Sequence, residues 1–430
     1  MASSSSPTRK YDMIVFGASG FTGQYVVDEV ARVAEEEGLK WAVSGRNMDK
    51  LQKVLGDASQ RTGMNLEEVP VVIADTGSPT SLLEMAEQTK LVLNCVGPYR
   101  FYGEQVVKAC VEGGAHHLDI SGEPQYLEKM QLMYNGKAKE NGVFVIGAVG
   151  FDSIPAEMGM LYTQKQFTGG QLSNVESFLT TETGNDGAAI NTGTLESAIH
   201  GFAHAKELKP LRRSLFPDPM PKYDFRLPKR STLFFSKEVN KWCLPFPGSD
   251  KSVVTRTIRN LLSTDRLEKP IEFCPYVACK SLGAALGVMV FAVIFALMTS
   301  FSLGQSLLMK YPHIFSFGAF KKGGPTKKQI DSTSFAMTFV GHGYPNVEKD
   351  RSGQKPNKIV ITKVMGPEPG YVTTPICMVQ SAVTVLKCKD KFGQPGGVMT
   401  AGSAFWDTDL IERLEKHNMK FVTVSENKRD

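Results

Sequence analysis

The chain has 430 residues, 42% apolar and 22% charged, with a formal net charge of +5 from 49 basic and 44 acidic side chains. These proportions describe a folded chain of two or three domains and exclude disorder and a small disulfide scaffold. A nucleic-acid-binding chain of this size would carry a larger basic excess or a basic tail.

The first ten residues are serine-rich, without an apolar core, and Ala2 stands where myristoylation needs glycine. The expectation is therefore neither a secretory leader nor an acyl chain. Seven cysteines, without any Cys-x-x-Cys, argue against a disulfide framework and a zinc ribbon. Together these features predict a chain facing the cytosol, and no residue cluster has metal-ligand spacing.

Met13 to Phe16 is an unbroken apolar run, as in a buried parallel strand. Gly17-Ala-Ser19-Gly20-Phe21-Thr22-Gly23 follows, and Gln24 to Glu36 has helical periodicity. Strand, glycine turn and helix form the context a dinucleotide needs. The glycines permit a tight turn, close approach to a pyrophosphate and close helix packing, and the helix start offers free N–H groups. A tight turn without a ligand is the alternative.

Trp41 to Gly45 reads as the second strand, ending in Gly45-Arg46. NAD-binding domains commonly place an acidic residue here for the ribose; an arginine suits a 2′-phosphate and favours NADP over NAD. A third strand runs from Val69 to Asp75, and Asp75 at its end either faces the adenine or caps a helix. A fourth, Leu91 to Asn94, opens into Cys-Val-Gly97-Pro-Tyr99, which makes Asn94, Gly97 and Tyr99 candidate cofactor or substrate contacts. The helix Gly103–Glu112 follows. His116 to Glu123 and Val143 to Gly150 complete six strands, so residues 1–155 read as a doubly wound parallel sheet. Of the adjacent His116 and His117, at most one points into a cleft.

Beyond Pro155 the pattern changes. Val175–Glu182 has strand character, and Thr194 opens a helix to about Ala205. Ser334–Val340 and Lys358–Val364 alternate with period two and predict an antiparallel pair. Thr374–Lys387 and Asp407–Lys416 read as helices and Lys420–Val424 as a last strand, so residues 371–430 are expected to pack back on the first domain. Residues 156–370 then form a second, α+β domain.

That domain holds two unusual stretches. Residues 206–269 carry 15 Lys or Arg against seven Asp or Glu, interleaved with aromatics, so the remainder of the chain is mildly acidic. Residues 281–309 contain no charge at all. A span, a core helix pair, a homodimer face and a membrane-surface anchor compete for this segment, with Gly283-x-x-x-Gly287 allowing close helix approach. Lysines at both flanks remove the asymmetry of a simple span, so a hairpin or in-plane helix is expected. The basic stretch would then face anionic headgroups.

The ordered motifs Gly17-Ala-Ser-Gly-Phe-Thr-Gly23, Gly45-Arg46, Asn94-Cys-Val-Gly-Pro-Tyr99, Asp119-Ile-Ser-Gly-Glu123 and Gly150-Phe-Asp-Ser-Ile-Pro155 resemble the saccharopine dehydrogenase-like oxidoreductases. The resemblance implies a Rossmann domain with an inserted α+β domain, NADP as cofactor, and association with lipid droplets or membranes. The glycine turn departs from the Gly-x-Gly-x-x-Gly of enzymes acting on saccharopine. Gly-Phe-Asp-Ser-Ile-Pro resembles instead the branch containing trans-acting enoyl reductases of lipid synthesis. Hydride transfer to a C=N, C=O or C=C group would need a nearby proton donor, for which Tyr99, His117, Asp119 and Asp152 are the candidates. The other functional class is a nucleotide-binding scaffold at lipid droplets without turnover.

Overall fold

In the computed structural model the described residues are 9–347 and 353–428; the serine-rich start before Arg9 lies outside them. Tyr11–Phe16 (β1) is buried on both faces. Met13 and Val15 pack under one helical layer, while Ile14 and Phe16 pack under another. That is why this strand reads as an unbroken apolar run. Helix Phe21–Glu37 (α1) follows, then Trp41–Gly45 (β2), Met48–Thr62 (α2), Val71–Ile73 (β3) and Pro79–Glu87 (α3). Thr89–Asn94 (β4), Tyr99–Gly113 (α4), His116–Asp119 (β5), Pro124–Glu140 (α5), Phe144–Ile146 (β6) and Ile154–Lys165 (α6) continue the alternation.

The second domain adds Gln171–Glu182 (β7), Ile190–Asn191 (β8), Thr192–Ala203 (α7), Leu208–Leu215 (α8), Phe234–Ser236 (β9), Lys241–Pro245 (β10) and Asp250–Ser263 (α9). Glu272–Cys279 (β11) leads into Leu282–Thr299 (α10) and Ser302–Lys310 (α11). Phe320–Lys321 (β12), Ser334–Tyr344 (β13) and Lys358–Pro367 (β14) follow, and Gly397–Met399 (β15) and Lys420–Lys428 (β16) close the chain.

The first sheet is parallel, in the order β15-β6-β5-β4-β1-β2-β3. Its seventh strand, β15, comes from near the end of the chain, beyond the six strands predicted. The second sheet is mixed, β16-β14-β13-β7-β11-β10-β9. β13 and β14 form the expected antiparallel pair, while β7 and β11 run parallel. The C-terminal part does not return to the first domain as one unit. Helix Thr374–Cys388 packs on α1 and β15 joins the first sheet, but β16 extends the second.

Local chemistry explains the shifted boundaries. α4 begins at Tyr99 rather than Gly103 because the Glu123 carboxylate accepts from the N–H groups of Tyr99 and Arg100. β5 stops at Asp119 because that carboxylate accepts from the N–H of Ser121 and folds the chain into a turn. α7 begins at Thr192 because Asn191 caps it.

Candidate functional site

The site is built at the carboxyl ends of β1, β2 and β4. Gly17 has φ +84°, and a Cβ there would lie 2.6 Å from Val96 Cγ2. A Cβ on Gly23 would be driven into the carbonyl oxygen of Gly17. Both positions therefore require glycine, the first for conformation and the second for close approach. Ser19 and Gly20 are exposed, and Phe21 and Thr22 are half-buried.

Among the described residues no side chain caps α1, whose cap position is Gly20. The next two helices are capped: Asn47 accepts from Lys50 N–H at 2.9 Å and Ser78 from Ser81 N–H at 3.4 Å. An uncapped start on an open glycine turn fits a pyrophosphate, which would take those N–H groups as its donors. At the end of β2, Gly45 is buried over Leu51, and Arg46 is exposed beside the same edge. Asp75 is half-buried, and its carboxylate accepts from Gly77 N–H at 2.8 Å; the helix cap there is Ser78.

The end of β4 is a connected polar group. Asn94 is buried, accepts from Val96 N–H at 3.0 Å and sits 3.3 Å from His117 Nε2. Tyr99 donates its hydroxyl to the carbonyl of Asn94 at 2.9 Å, and burial pushes its phenol well up. Gly97 lies exposed at the turn. Asp119 accepts from Ser121 N–H, Ala148 N–H and the Tyr126 hydroxyl, and burial raises its carboxyl to about 6. His117 is fully buried, which holds its imidazole down at about 3 and therefore neutral. His116 is buried too and accepts from Phe144 N–H at 3.1 Å.

Asp152 belongs to a second group. It is half-buried and accepts from Ser249 N–H at 3.1 Å. Burial raises it, and Asp250, buried beside it, is pushed well up by burial and by the charge of Asp152. Tyr99, His117 and Asp119 thus come together as an internal network, while Asp152 lies outside it, against Ser249 and Asp250. The sequence reading did not single out Asp250 or give Glu123 a role. Glu123 precedes Pro124 at the start of α5 yet makes no side-chain cap there; its backbone partners are at α4, distant in sequence, so no local signal marks its role.

The charge-free segment 281–309 folds as α10 and most of α11; α10 is an 18-residue helix of which 17% is buried. Its inner side meets Trp242 and Leu233 through Ala285 and Met289, and meets α7 through Phe295. Outward, Leu286, Val290, Val293 and Leu297 recur at helical spacing and are 47%, 56%, 60% and 63% exposed. Leu303, Ile314 and Phe317, after α10 in the chain, are exposed as well. A Cβ on Gly287 would meet nothing within 4 Å, so the glycine pair contacts no helix among the described residues.

The basic stretch is less free than its count suggests. Arg212 forks onto Glu128, Arg230 onto Glu176, and Arg266 and Lys269 pair with Asp407 and Asp224. These four are tied to the fold, while Lys206, Lys209, Arg213, Lys222, Arg226, Lys229, Lys237 and Lys251 stay exposed.

A parallel sheet in this strand order, with an uncapped glycine turn and an arginine beyond β2, defines a dinucleotide-binding protein of the Rossmann type. Residues 13–146 match the family described as the saccharopine dehydrogenase NADP binding domain. The chain is 49% identical over 97% of its length, and 98% of the relative's, to the mouse saccharopine dehydrogenase-like oxidoreductase. It is 38% identical over 97% of its length, and 99% of the relative's, to a Caenorhabditis elegans protein named lipid droplet localized protein. Among solved structures, yeast saccharopine dehydrogenase (L-Glu forming) superposes with a TM-score of 0.56 over 96% of this chain and 100% of that one, at 11% identity. The protein belongs to the saccharopine dehydrogenase-like oxidoreductases.

Proposed function

We propose that the protein is an NADPH-dependent oxidoreductase working at the surface of a lipid droplet or membrane. The uncapped start of α1 beside exposed Arg46 carries the cofactor reading. Gly17, Ser19, Gly20, Phe21, Thr22 and Gly23 would hold the pyrophosphate. Gly45 and Arg46 would hold the 2′-phosphate, Asp75 the adenine edge, and Asn94 and Gly97 the nicotinamide side. NADPH would supply a hydride to a C=N, C=O or C=C group. Of the proton-donor candidates Tyr99, His117, Asp119 and Asp152, Asp152 is favoured, because it stands outside the network of the other three and burial raises its carboxyl.

The exposed apolar face of α10 supports the surface reading. An apolar face of this length, open among the described residues, suits an in-plane seat in lipid. The nematode relative's name points the same way.

The internal hydrogen bonds of Tyr99 and Asp119 favour a second reading, a nucleotide-binding scaffold without turnover. Incubation with NADPH and a cellular lipid extract, followed by mass analysis, separates the two. A lipid gaining two hydrogens as NADPH is consumed supports the enzyme. NADPH binding with no reduced product supports the scaffold, and no nucleotide binding rejects both.

A further inference from the structure

The nucleotide cleft and the exposed apolar face are joined by α7. At its start, Asn191 caps the helix and donates its own N–H to the Tyr371 hydroxyl at 2.8 Å. The Tyr371 ring stands edge-on to Phe21 of the glycine turn, with centroids 4.8 Å apart. Farther along α7, Ser197 donates its hydroxyl to Glu123 at 2.8 Å. The same carboxylate takes the N–H groups of Tyr99 and Arg100 at 2.9 and 3.0 Å, which fixes the start of α4 directly after the β4 turn. Arg100 donates to the carbonyl of His200 and Gln125 to that of Gly201, at 3.3 and 3.0 Å. One side of α7 therefore reaches both halves of the cleft's edge.

Its other side rests on the apolar helices. Leu195 and Ile199 are buried with Phe295 of α10 and Leu308 of α11. Phe202 packs edge-on against Phe295, with centroids 5.4 Å apart. Among the described residues α10 packs along its inner side, and its outer stripe is left about half or more open to water.

We propose that α7 couples the two sites, so that seating α10 in a lipid surface tightens dinucleotide binding. This rests on the reading of α10 as a lipid-facing helix. Lipid contact restrains α10, and through Phe295 it restrains α7, so less freedom remains to be lost when the dinucleotide orders the glycine turn and the β4 turn. The coupling is reciprocal: bound dinucleotide tightens attachment by the same factor. A protein built this way holds its cofactor best where its apolar substrate is.

The test measures the NADPH dissociation constant of the full chain with and without vesicles of mixed phosphatidylcholine and phosphatidylserine, with flotation of the same samples. The expected result is binding about fivefold tighter or more on vesicles, the lower end of ordinary coupling. Hydrogen exchange in α7 should slow in parallel. Ser197→Ala should float normally and bind NADPH without vesicles as before, yet lose the tightening; Gln125→Ala provides a second cut at the same joint. Equal affinity on and off vesicles, in samples that float, would overturn the coupling alone, as would full tightening in both variants. Failure to float would overturn the surface reading and the coupling with it.

Discussion

Two helices of nearly equal length, α1 with 17 residues and α10 with 18, are left incomplete in opposite ways. α1 has a finished face: Val26, Val27, Val30 and Val33 are buried between the parallel sheet and the rest of the core. Its start is unfinished, with no side-chain cap among the described residues. α10 has a finished start, where Ser281 accepts from Ala284 N–H at 3.1 Å. Its face is unfinished, an aliphatic stripe turned outward. Unsatisfied N–H groups call for an anion, and an unsatisfied apolar stripe calls for an apolar medium. The two gaps together give the chemistry of the two ligands.

The comparison breaks most visibly on the α10 side. Fully burying an exposed aliphatic side chain gains about 1.5–3 kcal/mol, and those of the α10 stripe, already partly covered, each gain a share of that. Replacing Leu286, Val290, Val293 and Leu297 together by Asp should therefore abolish vesicle flotation and move the protein to the soluble fraction. NADPH binding without lipid should be unchanged. Deleting the whole helix is a poorer test, because Ala285 and Phe295 belong to the core. If the quadruple variant still floats, the outward stripe is not the attachment.

The α1 side is sharpened by Arg46→Ala. A charge-assisted hydrogen bond contributes about 1.5–3 kcal/mol, so NADPH binding should weaken by roughly ten- to a hundredfold. NADH binding should barely change, and flotation without nucleotide should be unaffected. Equal losses for both nucleotides would assign Arg46 a general role and remove the basis for preferring NADP.

Much of this was legible in the sequence for definite physical reasons. Met13 to Phe16 sits between two helical layers, so its burial appears as an apolar run. The Gly17–Gly23 turn is legible because its first and last positions tolerate nothing larger. The charge-free segment was visible from composition, but its exposure was not. Exposure depends on where α7 and β10 happen to lie, and these are distant in sequence. Counting charge over 206–269 overstated the free excess for the same reason: Glu128 and Glu176, outside that stretch, neutralise Arg212 and Arg230. The seventh strand was missed because Gly397–Met399 is three residues long and takes its meaning from pairing with β6.

The smallest effect lies at the junction of the two domains, where Glu157 on α6 is fully buried. It accepts from Gly402 N–H at 2.9 Å and from the Thr257 hydroxyl of α9. Burial pushes its carboxyl up to about 7, despite these bonds. A carboxyl raised in the fold holds a proton that the unfolded chain has already released. Its contribution to stability is complete below the unfolded value near 4.5 and declines as pH rises through about 7. Glu157→Gln should flatten that decline: between pH 5 and pH 8 the variant's melting temperature should fall less than that of the parent. Any offset common to all pH values reports lost packing and is separate from the slope. Because Glu157 belongs to neither unfinished helix, NADPH affinity and flotation at fixed pH should be unaffected. A slope identical to the parent's would mean that another group, with the Asp152–Asp250 pair the nearest choice, controls the pH response of the junction.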